Sequence, residues 1–322
     1  MRMLVTGGAG YIGSHMVRAL RAVGHQVVVL DDLSTGHIES VPKDVTFVRA
    51  DVSDRAVVTK LLRLHRTQAV FHFASKIQVG ESITAPRLYY TGNLSAAIAL
   101  LESFLDAQVE HFILSSTAAV YGQPVQETID ESHPTEPLNP YGETKLAIER
   151  MLAAYSRAYG FRYAALRYFN AAGADPSGTL GEHHRPETHL IPIVLETAAG
   201  MRESVTVHGV DYDTPDGTCV RDYIHVADLC QAHLAALDHL AGGGASGTFN
   251  LGTGIGHSVK QVIAVAERLS GRKVPVVYGP RRPGDPKRLV ASAARAAREL
   301  QWTARRPLLA DIMSDAWRVL HA

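Results

Sequence analysis

The chain has 322 residues, of which 46% are hydrophobic, 20% charged and 7% aromatic, a balance that excludes a disordered or fibrous protein. Thirty-two basic residues offset thirty-two acidic ones, so no net field draws it to nucleic acid or an anionic membrane, and any anionic ligand must be small and locally held. The length implies about two domains, or one large domain with an elaborated end, and a core that needs no disulfide staple.

The opening MRMLVTGG reaches glycine too soon for a signal-peptide core, and no later run is apolar for long enough to span a membrane, so a cytoplasmic protein is expected. Cys219 and Cys230, the only cysteines, lie outside any CxxC pair and are expected as buried thiols in a reducing compartment. Apolar runs at Met3 to Val5, Val27 to Leu30, Thr46 to Val48, Ala69 to Phe73 and His111 to Leu114 predict strands, each followed by a helical pattern. Such alternation predicts parallel strands with crossover helices on both faces.

Thr6 ends the first strand, and GGAGYIGSH places Gly7, Gly10 and Gly13 at a strand-to-helix turn. Glycines there let the backbone approach a pyrophosphate, whose charge meets the helix N-terminus. A tight turn alone would also explain glycines, but not Asp31 and Asp32 at the end of the second strand about twenty residues on. An acid in that place accepts ribose hydroxyls and repels a 2′-phosphate, which favours NAD over NADP. Asp51, after the third strand, suits either the adenine edge or the N-cap of a helix beginning at Val52 or Ser53.

In ILSSTAAVYG, Ser115, Ser116 and Thr117 end a strand where a ligand at the carboxyl edge of the sheet would sit, and Thr117 can donate to a reacting hydroxyl. Tyr141 and Lys145 in NPYGETK are four apart at the start of a helical pattern that runs to a stop glycine, so both side chains share one face. The ammonium is expected to favour phenolate, as would a positive nicotinamide, and the tyrosine can then take a proton from a hydroxyl whose carbon gives up hydride. A lone pair of this kind on another helix would be a surface contact. Its place after a dinucleotide cradle and a hydroxyl-rich strand end reverses that preference.

A further strand at Tyr163 to Arg167 makes at least six. After about Asn170 the polar stretch GADPSGTLGEHHRPETH marks a boundary. His183, His184 and His189 crowd it, yet with no HExxH spacing and no acidic companion set they predict no metal. A helix from about Val226 to Leu240 and a strand at Thr248 to Leu251, joined by the surface turn AGGGASG, are expected to rejoin the first domain. Arg221 and Arg282 suit a diphosphate, because a guanidinium pairs with two phosphate oxygens, and Asp285 suits a ribose hydroxyl; surface arginines and a turn aspartate are the plain alternative.

Taken in order, TGGAGYIGSH, HFAS, SSTAAVYG, PYGETK, LRYFNAAGA, VRDYIHVADL and PRRPGD resemble the extended short-chain dehydrogenases, specifically the UDP-glucose 4-epimerase family, over nearly the whole chain. The resemblance implies an α/β Rossmann-type doubly wound parallel sheet with a smaller α/β substrate-binding domain. The first domain would comprise 1–169, rejoined by about 222–251, and the second 170–221 with 252–322. It implies Tyr141 as catalytic base, Lys145 as its partner and ligand of the nicotinamide ribose, and Thr117 where such enzymes carry Ser or Thr. It also implies cofactor contacts from Tyr11, Ile12, Asp31, Asp51, Val52, Phe73, Ala74, Asn93 and Tyr168, with Ser115 beside them. Substrate contacts would come from Asn170, His189, Leu190, Arg221, Arg282 and Asp285. Lys76 is offset by one position from the lysine of some relatives, with Ile77 in its place, and is left out of the site.

The implied reaction removes hydride from C4 of a UDP-hexose, turns the trapped 4-keto sugar over and returns the hydride, regenerating NAD. Ala118 and Ala119 follow Thr117 where the sugar 4,6-dehydratases carry an Asp-Glu pair, which argues against elimination. Leu289 stands where some relatives place a bulkier residue, leaving a UDP-N-acetylhexosamine or UDP-pentose as alternative substrates, with a non-catalytic NAD-sensing regulator as the alternative of another class. A homodimer through the helical patterns from about Leu88 to Ala107 and Tyr141 to Tyr159 is implied by the family. Their apolar stripes equally suit packing on their own sheet.

Overall fold

The structure is a computed structural model and describes residues 1–282 and 284–321. The first half alternates as its apolar periods require: β1 (Arg2–Thr6), α1 (Tyr11–Ala22), β2 (Gln26–Asp31), β3 (Thr46–Arg49), α2 (Arg55–Leu64), β4 (Ala69–His72), α3 (Val79–Thr84), α4 (Pro86–Tyr89), a π-helical turn over Tyr90–Ser95, α5 (Ala96–Asp106), β5 (His111–Thr117), α6 (Pro140–Tyr159) and β6 (Arg162–Tyr168). There follow β7 (Asn170–Ala172), α7 (Leu190–Ala199), β8 (Val205–His208), β9 (Val220–His225), α8 (Val226–Ala241), β10 (Gly247–Leu251), β11 (Gly256–Ser258), α9 (Val259–Ser270), β12 (Val276–Gly279), β13 (Arg288–Leu289), α10 (Ala294–Glu299) and α11 (Leu309–Leu320).

Seven strands form one parallel sheet in the order β10-β6-β5-β4-β1-β2-β3. Helices cover both faces, so the strands read as continuous apolar runs rather than alternating ones. On one face Met16, Val17 and Leu20 of α1 pack with Leu229 and Leu237 of α8. On the other, Leu61 of α2, Leu100 and Phe104 of α5, and Ile148 and Leu152 of α6 fill the layer. A second core joins α7, α9 and α11 through Ile191, Val194, Val262 and Ile312. It lies with a four-stranded sheet in which β9 pairs with β7, β11 and β13, and with the two-stranded pair β12-β8.

Two boundaries differ from those expected. Re-entry at about 222 falls inside β9, which pairs only within the smaller sheet, so the return begins with α8 at Val226. The segment around α10 also returns: Ala296, Leu300 and Trp302 are buried in the core of the larger sheet. The Trp302 indole N–H donates to the Asp228 carbonyl at 3.1 Å, a partner 74 residues away that no local pattern signals. Among the described residues, no helix is long and apolar enough to cross a membrane.

Two histidines in this core carry a pH dependence. His233 donates from Nδ1 to the Leu229 carbonyl at 2.8 Å and accepts the Tyr168 hydroxyl at Nε2 at 2.7 Å, which fixes it as neutral. Burial pushes its pKa down to about 4 and that of His72 down to about 3. Both folded values lie below the unfolded one, so below about pH 6.5 the unfolded chain binds more protons and stability falls. Urea unfolding is expected to show a loss of about 2–3 kcal/mol for each histidine between about pH 6.5 and 4.5. A midpoint unchanged over that range contradicts their burial as neutral rings.

Candidate active site

The strand order turns back between β1 and β4, where the connections from their carboxyl ends part and an open parallel sheet offers its crevice. The turn after β1 is built for close backbone approach. Gly7 has φ +71°, and a Cβ there would stand 2.5 Å from the Ala74 nitrogen. A Cβ on Gly13 would stand 2.0 Å from the Gly7 carbonyl oxygen, so α1 is seated directly on the turn. Gly10 donates its N–H to the Gly7 carbonyl at 3.2 Å and caps α1 with no side-chain hydrogen bond. A Cβ at Gly10 would meet only that carbonyl, at 3.4 Å. The first-turn N–H groups of α1 therefore have no capping side chain, and with the helix dipole they form a seat for a pyrophosphate.

Asp31 is 7% exposed and binds this loop from behind, its Oδ2 accepting Ala9 N–H and its Oδ1 Leu33 N–H, both at 2.9 Å. Burial raises its pKa, and those two N–H groups oppose the rise. Asp32 is exposed and accepts Ser34 N–H at 2.8 Å. An anion-binding turn with acids at the next strand end fits a dinucleotide without a 2′-phosphate.

The second half of the site is set by how α6 starts. Asn139 caps it by accepting Gly142 N–H at 2.9 Å, and Pro140 occupies its first turn, so Tyr141 is its second residue and Lys145 follows one turn later. A Cβ on Gly142 would stand 2.5 Å from the Ala119 carbonyl, which shows how tightly this end presses on the turn after β5. Thr117, at the end of β5, accepts Ala119 N–H at 3.1 Å and stands close enough to the Tyr141 phenol to pull its pKa down. Lys145 is 1% exposed and donates to the Ser115 carbonyl and to Ser75 Oγ, each at 2.8 Å.

The electrostatics depart from the sequence expectation. Burial raises the Tyr141 phenol, with Thr117 opposing, and Lys145 is not among the groups that pull it down. The Lys145 ammonium is turned to Ser115 and Ser75, and burial pushes its pKa down to about 7, with Glu149 opposing. Four-residue spacing puts both groups on one face, but a lysine's long stem lets its head choose other partners. A positive charge nearer the phenol would have to come from a bound cofactor.

Residues 3–252 match the NAD dependent epimerase/dehydratase family, a span that contains the glycine turn, Thr117, Tyr141, Lys145 and every strand of the larger sheet. The chain belongs to this family. It is 51% identical over 317 residues to the UDP-glucose 4-epimerase of Halalkalibacterium halodurans, covering 98% of this chain and 95% of that protein. The crystal structure of the Brucella ovis UDP-glucose 4-epimerase in complex with NAD is similar with a TM-score of 0.96, at 46% identity, covering 99% of this chain and 98% of that one. The Bifidobacterium longum enzyme in complex with NAD+ and UDP is similar with a TM-score of 0.94, at 38% identity, covering 100% and 98%.

Within this epimerase-family scaffold the remaining expected residues divide. Tyr11 begins α1 and donates its hydroxyl to the Gly173 carbonyl at 2.7 Å, and Ile12 beside it is half-buried. Phe73 and Ala74 pass directly over Gly7. Tyr168 is in register with Thr117 but gives its hydroxyl to His233. Asn93 is fully buried and its amide is committed to the chain: Oδ1 accepts Lys76 N–H at 2.8 Å, and Nδ2 donates to the Lys76 carbonyl and to Thr144 Oγ1. It holds the loop after β4 against α6. Val52 is buried in the core beside α2. Asp51 is exposed and accepts Ser53 N–H at 2.7 Å, whereas the cap of α2 is Asp54, which accepts Val57 N–H at 3.1 Å. The helix thus starts at Arg55, later than the expected Val52 or Ser53.

On the opposite side of the crevice, Arg221 is 9% exposed, donates to the Val220 carbonyl at 2.8 Å and pairs with Asp285. Asp285 N–H donates to the Arg282 carbonyl at 3.2 Å, so one loop gathers all three, with Arg282 exposed. Asn170 opens β7 in register with Tyr223, and His189 and Leu190 open α7.

Sequence reasoning passed over Ser75, although it ends the HFAS motif, and over the pair beneath Lys145. Glu149, one turn beyond Lys145, is 4% exposed and accepts both from Ser116 Oγ and from the Arg167 guanidinium, with Nε at 3.0 and 3.2 Å from its two oxygens. Arg167 also donates to the Tyr121 hydroxyl at 2.8 Å. Glu149→Ala leaves a buried guanidinium without its carboxylate and is expected to cost about 3–5 kcal/mol in urea unfolding. A loss under about 1 kcal/mol would remove the pair from the account of how α6 is fixed to the sheet. The expectation that His184 and His189 lack acidic companions is also corrected: the segment folds back so that Glu182 and Glu187 face them.

Proposed function

We propose that the chain is an NAD-dependent epimerase that inverts C4 of a UDP-hexose, interconverting UDP-glucose and UDP-galactose through a transient 4-keto sugar. The observation that carries this reading is that the uncapped glycine cradle and the Thr117, Tyr141 and Lys145 set share one edge of one sheet. The names of its relatives, one of them bound to NAD+ and UDP, support it.

NAD held over the cradle by the glycine turn would supply a hydride acceptor and donor for C4. Tyr141 takes the C4 hydroxyl proton and gives it back after the sugar has turned. Thr117 orients that hydroxyl, and Lys145, held by Ser115 and Ser75, presents a cation to the ribose side of the site. Gly7, Gly10 and Gly13 let the backbone meet the pyrophosphate; Tyr11, Ile12, Asp31, Asp32, Asp51, Phe73 and Ala74 surround the dinucleotide. Arg221 and Arg282 meet the diphosphate of the sugar nucleotide, and Asp285, Asn170, His189 and Leu190 complete its seat. Anchoring the nucleotide firmly while leaving the hexose few polar contacts is what allows the keto sugar to rotate.

The cofactor unit comprises 1–169 with the returning α8, β10 and α10, and the remaining parts bind the sugar nucleotide. A homodimer is supported by exposed apolar side chains along α3 to α5, including Val79, Ile83, Leu88, Tyr90 and Ile98. Leu289 is in register with Arg221 on adjacent strands, and a leucine there leaves space for an N-acetylhexosamine or suits a pentose. Purified protein given UDP-galactose and no added cofactor is expected to form UDP-glucose. No product, with or without added NAD, would leave a dinucleotide-sensing protein instead. Parallel rates with UDP-N-acetylgalactosamine and UDP-xylose measure the breadth of the sugar pocket.

A further inference from the structure

One side-chain cluster goes beyond that chemistry and shares only His189 with the proposed seat of the sugar nucleotide. Ahead of α7, residues 182–189 read Glu, His, His, Arg, Pro, Glu, Thr, His. Glu182, His184, Glu187 and His189 each present one donor atom, and all four donors lie within 4.8 Å of one another. His184 Nδ1 is 3.1 Å from Glu182 Oε1 and 3.7 Å from Glu187 Oε2, and His189 Nδ1 also rests on Glu182 Oε1. The two carboxylates are deeply buried, their side chains only 6% and 4% exposed. Among the described residues neither is paired with a lysine or an arginine. Glu187 is held in place by its other oxygen, which accepts the N–H groups of Thr188 at 2.7 Å and His189 at 2.8 Å. The Tyr11 ring stands edge-on to His184 at 6.3 Å and supports it from the side of the cradle.

Two buried carboxylates facing two imidazoles need positive charge among them, which either protonated rings or a bound ion can supply, and the convergence of four donor atoms on one point suits an ion. A tetrahedral ion with bonds of about 2.0–2.1 Å sets its ligand atoms about 3.3–3.4 Å apart. The spacings of 3.1 and 3.7 Å around His184 lie near that value, whereas His189 Nδ1 and Glu182 Oε1 stand closer and would part to admit an ion. Two imidazoles favour a first-row transition ion over Mg2+ or Ca2+, and the mixed nitrogen and oxygen set suits Zn2+. We propose that Glu182, His184, Glu187 and His189 bind one divalent transition ion, Zn2+ best, which fastens the loop leading into α7. The ion is structural. It ties the two ends of the segment together next to the first turn of α1, and this role does not depend on which sugar the enzyme turns over.

The test uses tag-free full-length protein stripped with a chelator and titrated with Co2+, reading its visible ligand-field bands. Saturation at one equivalent, bleaching by Zn2+ and a higher melting temperature with Zn2+ are expected. Groups that hydrogen-bond a metal's ligands are worth roughly 10–100-fold in affinity, so losing a ligand must cost at least about 100-fold. His184→Gln and Glu187→Gln are each expected to weaken Co2+ binding by that much with an unchanged far-UV spectrum. His183→Ala, which removes an exposed ring outside the four donors, should leave binding as in the parent. Absence of a saturable band in the parent protein overturns the site, whatever the variants do. Bands that survive both His184→Gln and Glu187→Gln, or that vanish with His183→Ala, overturn it equally.

Discussion

Tyr141→Phe is expected to lower kcat by about a thousandfold and to leave the NAD content of the purified protein unchanged. The substitution removes one hydroxyl and keeps the ring, which stands edge-on to Tyr89 at 6.5 Å, so the start of α6 stays packed. Thr117 still faces the position, and Lys145 keeps Ser115 and Ser75. What disappears is the phenol proposed to exchange a proton with the C4 hydroxyl, and a positioned acid-base group is worth roughly 10²–10⁴-fold. Because that interaction is made only as the hydroxyl ionises, kcat and kcat/KM should fall together while KM changes little. Conversion of UDP-galactose is the assay, and NAD released on denaturation is the control. A kcat within about tenfold of the parent would transfer the role of base to another group.

The glycine turn yields the second large effect, because its three glycines have different reasons to be there. Gly13→Ala places a methyl 2.0 Å from the Gly7 carbonyl, backbone against backbone, so α1 must lift away from β1. Overpacking costs about 1–3 kcal/mol, with backbone meeting backbone at the upper end, and both the melting temperature and the bound NAD are expected to fall. Gly10→Ala meets only one atom, at 3.4 Å, and should fold with nearly the parent melting temperature. Its methyl projects where the pyrophosphate would lie, so NAD content and activity should drop without loss of stability. If Gly10→Ala retains full NAD content, the dinucleotide does not approach the turn as proposed. A Gly13→Ala protein as stable as the parent would show that α1 can slide.

The parts of this molecule legible in its sequence are those in which local pattern and tertiary place coincide. All the strands expected in the larger sheet appear, because a strand covered on both faces must be apolar throughout and is bounded by turn residues that need no distant partner. Tyr141 and Lys145 were readable for a similar reason: helical spacing sets their shared face, and Asn139 and Pro140 mark where the helix starts. Asp51 shows the limit of local reasoning. Its neighbour Asp54 is an equally good cap, and only the packing of Val58, Leu61 and Leu62 into the core decides which residue begins α2.

By itself, then, the order of residues determined the element alternation, the glycine turn after β1 and the shared helix face of Tyr141 and Lys145, because each depends on backbone conformation within a few residues. Only the tertiary structure decided that Lys145 turns to Ser75 and Ser115, that Arg167 lies against Glu149, and that α10 returns to the larger sheet. It alone brought Glu182 and Glu187 around His184 and His189, since short-range spacing there matches no helix or strand period. Buried polar groups must find partners wherever the chain supplies them, and those partners are chosen by the closing of the core rather than by separation along the chain.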